Sequence, residues 1–164
     1  AWRKGDAYYN PNGSRMNKNE FEVCRAELNA RKVIRQVTND KMTLDEKRLA
    51  CFKWAMHNKQ YRNFRKFIDG GDVWYAVNAN DYFERSAGNC LASASSFAYL
   101  AKELGYKNVF VCADGPKSEQ AHVWTEIDGL VYDPLFANSR IEWYYRVTYS
   151  RYYCKKPYFR VKLS

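Results

Sequence analysis

The stretch Gly88-Asn89-Cys90-Leu91-Ala92-Ser93-Ala94-Ser95-Ser96-Phe97-Ala98-Tyr99-Leu100-Ala101-Lys102-Glu103-Leu104-Gly105 decides how the rest of the chain is read. Leu91, Ala94, Ala98, Ala101 and Leu104 recur at helical spacing, and Gly105 falls where a left-handed stop is wanted. Asn89, after Gly88, supplies a cap, which puts Cys90 in the first turn. The partial positive charge at a helix N-terminus favours the thiolate, the nucleophilic form of a cysteine. Ala92 to Ser96 are all small, so this helix can lie close against a sheet at the centre of the fold. Taken alone, such a cysteine reads as a small buried hydrophobe. The remainder of the chain gives it a second reading.

Upstream, Phe21, Cys24, Leu28, Val33, Ile34 and Val37 form an apolar stripe that predicts a helix over 19–38. Thr43-Leu44-Asp45-Glu46 has the form of a capping box and opens a second helix over 44–58, with Leu49, Phe52 and Met56 on one side. His57, near its end, reads as a surface helix-end residue. Residues 1–18 are polar and turn-rich, and read as an irregular arm laid on the surface. A short helix is expected from Asn80 to Arg85.

Downstream, Lys107 to Ala113 reads as a strand. Ala121–Ile127 and Leu130–Asp133 form a hairpin around Asp128-Gly129, a strong two-residue turn signal. The last 22 residues carry eight aromatic and six basic side chains. Within them Tyr145-Val147-Tyr149 and Phe159-Val161-Leu163 alternate with polar neighbours, as closing antiparallel strands do.

The hairpin carries the chemistry. A two-residue loop makes 127 face 130, 124 face 133 and 122 face 135, so His122 and Asp133 share a face, one diagonal step apart. Diagonal neighbours lie about 7–8 Å apart at Cα, within reach of a histidine–carboxylate hydrogen bond. Pro134 holds Asp133 extended and ends the ladder there. Trp124, opposite Asp133 in this register, reads as packing. A thiol at a helix N-terminus, an imidazole and an orienting carboxylate are the parts of a nucleophile–base–acid triad.

Gly88-Asn89-Cys90-Leu91 opening a small-residue helix that ends Tyr99-Leu100-Ala101-Lys102-Glu103-Leu104-Gly105-Tyr106 resembles the nucleophile segment of the transglutaminase-like superfamily, in its bacterial single-domain form. Val109-Phe110-Val111, Ala121-His122-Val123-Trp124-Thr125-Glu126 and Val131-Tyr132-Asp133-Pro134 resemble its following strands, in order. The helix opening Met42-Thr43-Leu44-Asp45-Glu46-Lys47 is similar to the one preceding the family's core, so the likeness runs from about 42 to 136. It implies an α+β, papain-like fold: N-terminal helices and a central cysteine-bearing helix packed on an antiparallel β-sheet. It also implies Cys90 as nucleophile, His122 as base and acid, and Asp133 as the orienting carboxylate. An acyl-transfer site needs donors for the developing oxyanion. The Cys90 N–H can be one, and Trp74, Tyr75 and Tyr82 are candidates for the upstream side chain that supplies the second. The activity implied is acyl transfer on amides of a protein or peptide, either hydrolysis or amine cross-linking. A chain of 164 residues read as a single domain without accessory modules leans toward hydrolysis.

Composition sets the remaining bounds. Hydrophobic content of 46% and aromatic content of 17% exclude a disordered chain. No apolar run reaches the length of a membrane span. The net charge of +9 favours contact with something anionic, such as a cell-wall polymer, a lipid surface or nucleic acid, and names none of them. A nucleic-acid reading rests on charge and aromatics alone, and none is expected as a partner. No cofactor, metal or calcium dependence is expected; the five cysteines include no CxxC pair. Cys24 and Cys51 sit too far from register across a helical hairpin to bridge, while Cys112 with Cys154 stays open. The chain opens on Ala1 rather than Met, as either a mature secreted protein or a trimmed chain would, and a secreted or cell-surface location is the expectation. A different class of reading keeps the same fold as a non-catalytic module whose basic, tyrosine-rich surface docks on the cell surface or wall.

Overall fold

The computed structural model describes residues 2–4, 7–56 and 60–163. In chain order the elements are β1 (Trp2–Lys4), β2 (Ala7–Tyr9), α1 (Lys18–Val37), α2 (Leu44–Met56), β3 (Gln60–Tyr61), α3 (Trp74–Arg85), β4 (Ala87–Gly88), α4 (Cys90–Glu103), β5 (Val109–Ala113), β6 (Val123–Ile127), β7 (Leu130–Tyr132), α5 (Ile141–Tyr144) and β8 (Phe159–Lys162), with 3₁₀ turns at Phe67–Gly70 and Phe136–Ser139. The fold is α+β, with an antiparallel sheet in the order β7-β6-β5-β8.

Helix α4 is the centre. Every side chain from Cys90 to Ala101 is buried, because α1, α2 and α3 cover one side and β5 and β6 the other. Small residues make this possible: Thr125 Oγ1 reaches across from β6 to donate to the Ala94 carbonyl at 2.7 Å. The helix ends in a Schellman arrangement around Gly105 (φ +101°), with Gly105 N–H on Lys102 O at 3.0 Å and Tyr106 N–H on Ala101 O at 3.1 Å.

The two helices upstream start as their caps dictate. Asn17 accepts from Glu20 N–H at 2.9 Å while Glu20 accepts from Asn17 N–H at 3.0 Å, a full capping box for α1. Thr43 Oγ1 accepts from Glu46 N–H at 3.1 Å, but Glu46 takes its return bond from the Thr43 hydroxyl rather than from the cap amide. His57 lies outside the described residues.

The β6–β7 register pairs Thr125 with Tyr132, Glu126 with Val131 and Ile127 with Leu130. Asp128 (φ 51°) and Gly129 (φ 79°) both adopt the left-handed backbone that such a tight hairpin turn requires. Val109, Val111, Val123, Ile127 and Tyr132 join the helices in one core; Cys112, Trp124, Val131, Val147 and Tyr152 form a second cluster on the opposite face. Because both faces are covered, all five residues of β6 are buried.

Four expectations change. Residues 1–18 are not irregular throughout: β1 and β2 pair antiparallel, Trp2 opposite Tyr9, because the aromatic β-formers there outweigh the polar turns around them. Tyr8 then rests on Phe21 of α1, ring centroids 4.7 Å apart. The helix expected from Asn80 begins at Trp74, as its apolar residues pack against α1 and α4. Residues 145–149 are not a strand; they touch the sheet only through a Val131–Val147 bridge, since Arg146 (φ 54°) turns the chain left-handed just before it. Finally, His122 and Asp133 each sit one residue outside their strands. The His122 amide bonds Asp114 Oδ1 at 2.8 Å and the Asp133 amide bonds Tyr144 O at 2.8 Å, in place of cross-strand partners.

Candidate active site

Cys90 is the first residue of α4 and is 9% exposed. Asn89 caps the helix by accepting from Ala92 N–H at 3.3 Å, and its amide nitrogen donates to Asn63 Oδ1 at 2.9 Å. The first-turn amides have no intrahelical acceptor, as at any helix start. Gly88 is required just before: a Cβ there would lie 2.4 Å from Ala92 Cβ and 2.9 Å from the Tyr82 ring. The Cys90 thiol points toward the Ala121 carbonyl at 3.8 Å.

The imidazole of His122 lines the same cleft as that thiol, and the two interact electrostatically. Its Nε2 lies 2.7 Å from Asp133 Oδ2, which leaves Nδ1 as the nitrogen for Cys90. Phe136 stacks on the ring at 4.1 Å and 8°, fixing its plane. Burial alone would lower the His122 pKa, but the hydrogen bonds to Asp133 and Cys90 and the charges of both outweigh it, raising it to about 10. Asp133 is fully buried. Its Oδ1 accepts from Phe136 N–H at 3.2 Å, and its Oδ2 also accepts from the Tyr152 hydroxyl at 2.5 Å. Burial and the Asp133 charge push the Tyr152 pKa far up, so this phenol stays a donor.

Of the three side chains read from the sequence as a triad, His122 and Asp133 are hydrogen-bonded, and Cys90 lines the same cleft as His122. The three oxyanion candidates do not meet them there. Trp74 is fully buried against Phe67 and Phe159; Tyr75 stacks with Tyr99 at 6.4 Å; Tyr82 gives its hydroxyl to the Ala55 carbonyl. None lines the cleft beside Cys90. That cleft, of about 920 Å³, is bounded by Tyr61, Asn63, Phe64, Lys117, Gln120 and Phe136 among others. Asn63, Phe136 and Tyr152 were not read as site residues, and no spacing marks them: Asn63 acts through a cap, Phe136 through a 3₁₀ turn, and Tyr152 from a stretch without regular structure.

All five cysteines are free thiols, including Cys112 and Cys154, which lie in one apolar cluster. Among the described residues no group of three or more His, Cys, Asp or Glu is arranged to hold a metal, and no helix is long and apolar enough to cross a membrane.

Residues 31–145 match the family model of the transglutaminase-like superfamily. The chain belongs to that superfamily, and its fold is the one used by cysteine-based acyltransferases and proteases. No curated protein matches the chain.

Proposed function

We propose that the protein is a cysteine-dependent acyl-transfer enzyme acting on amides of a protein or peptide. The observation that carries this reading is His122 hydrogen-bonded to the buried Asp133 carboxylate in the same cleft that the Cys90 thiol lines. In the reaction, the Cys90 thiol passes its proton to His122 Nδ1, its sulfur attacks the amide carbonyl carbon, and the oxyanion forms beside the Cys90 N–H at the start of α4. His122 Nδ1 then gives its proton to the nitrogen as the C–N bond breaks, leaving a thioester on Cys90 and releasing an amine. Either water or a second amine attacks the thioester, returns a proton through His122 and frees the thiol. Asp133 keeps the ring in the tautomer that faces sulfur and stabilises its cation. A secreted or cell-surface setting, with the basic surface near anionic polymer, belongs to the same reading.

The test is to incubate the protein with a glutamine-containing peptide, with and without a primary amine. Ammonia release, backbone cleavage and amine incorporation are separable products, and any of them, absent from Cys90→Ala, supports the reading. Identical product patterns from wild type and Cys90→Ala would refute it and leave a binding module on the same fold.

A further inference from the structure

Asp133 Oδ2 carries two donors: His122 Nε2 at 2.7 Å and the Tyr152 hydroxyl at 2.5 Å. Tyr152 is 1% exposed. The next residue, Tyr153, donates to Asp114 Oδ2 at 2.8 Å, and the other oxygen of Asp114 accepts the His122 N–H at 2.8 Å. Two consecutive tyrosines thus reach one histidine through two separate carboxylates, one at its ring and one at its backbone. The segment that carries them is itself tied, with Lys155 Nζ donating to the Ser150 and Tyr152 carbonyls at 2.8 and 2.9 Å.

We propose that Tyr152 is a positioning residue of the Cys90–His122–Asp133 site, fixing through its hydroxyl the direction in which Asp133 holds the His122 ring. The proposal builds on the acyl-transfer reading and adds a fourth side chain to it. A fully buried carboxylate is costly unless donors satisfy it, and a hydroxyl donor favours its ionised form. His122 alone leaves the shared oxygen free to rotate about the Asp133 side chain; Tyr152 and the Phe136 amide together hold it from both ends. The titratable groups facing Asp133 are His122, Tyr152 and Tyr153; those facing His122 are Cys90 and Asp133, with Asp114 at its backbone and Cys154 beside the two tyrosines. Loss of that hold turns the imidazolium away from the sulfur and weakens its support of the thiolate, so the Tyr152 hydroxyl acts on the pH dependence of Cys90 reactivity.

The experiment measures the rate of Cys90 alkylation by iodoacetamide across pH for wild type, Tyr152→Phe and the protein carrying 3-fluorotyrosine at 152. Tyr152→Phe keeps the ring and removes the donor, so the acid-side midpoint rises, by about one pH unit, and the rate on that limb falls about tenfold. Fluorotyrosine is a stronger donor of nearly the same shape, so its midpoint moves down. This pair separates positioning from packing, because a merely structural role lowers the melting temperature without moving the two midpoints in opposite directions. Should Tyr152→Phe not fold, the fluorotyrosine protein still decides. Midpoints unmoved in the folded proteins overturn the proposal. His122→Ala provides the second arm: if it alkylates as fast as wild type, the acyl-transfer reading itself has failed, whatever Tyr152 does.

Discussion

His122 Nε2 and Asp133 Oδ2 lie 2.7 Å apart although neither residue belongs to a strand. The hairpin ladder brings them to the same end, and each then spends its backbone amide elsewhere, which lets the side chains close the remaining gap. This contact, with Cys90, lifts the His122 pKa from its ordinary 6.5 to about 10. The folded protein therefore binds a proton that the unfolded chain releases between those values. The stability contribution is fully present below about 6.5 and declines as pH rises toward about 10. Melting temperature followed over this window should fall with pH in wild type. In Asp133→Asn the slope flattens and the imidazole NMR titration moves down toward the ordinary range. Alkylation of Cys90 near neutral pH falls in the same variant.

The five thiols should not react alike. Burial raises the Cys51 pKa to about 12, and burial together with the Glu126 charge does the same for Cys112. Brief alkylation of the folded protein near neutral pH, followed by peptide mass mapping, should label Cys90 faster than either by on the order of a hundredfold or more. Equal labelling of Cys90 and Cys51 would mean that the helix start confers no special reactivity.

Gly88→Ala tests the close approach that seats Cys90. The added methyl would lie 2.4 Å from Ala92 Cβ, inside the first turn of α4 itself. Overpacking of this kind costs about 1–3 kcal/mol. Chemical denaturation should show that loss, and Cys90 alkylation should slow along with it, since the helix start must shift to make room.

Asn89→Ala removes the cap and the link to Asn63 together. Loss of such a cap costs about 1 kcal/mol. Asn63→Ala leaves the cap in place, so it should lower stability less while still altering peptide turnover at the cleft. A double-mutant cycle measures the coupling between the two side chains.

Much of this was legible because it is local or periodic. The α4 stripe, the Asn89 cap, the Gly105 stop and the Asp128-Gly129 turn are short-range signals, and all appear where the sequence puts them. The hairpin register followed from turn length alone, and with it the meeting of His122 and Asp133. What was not legible depends on tertiary competition. Tyr145 to Tyr149 alternate like a strand, yet Arg146 turns left-handed, so the segment meets the edge strand β7 only at the Val131–Val147 bridge and otherwise covers the sheet's second face. Trp74, Tyr75 and Tyr82 carry suitable donors, but packing of α3 against α1 and α4 turns them away from the cleft. Asn63, Phe136 and Tyr152 act through a cap, a ring stack and a long loop, none of which leaves a spacing to read.

The family match stops at residue 145, whereas β8 and both clamping tyrosines come after it. Strand β8 is what β5 pairs with on its outer side, Val111 opposite Val161 and Cys112 opposite Arg160. A shortened protein trimmed to the matched range would present β5 as a bare edge, its amides and carbonyls open to any other chain. Such a product should self-associate sheet to sheet and lose thiol reactivity at once, so recombinant boundaries for this protein belong beyond Leu163 rather than at the end of the recognisable motif.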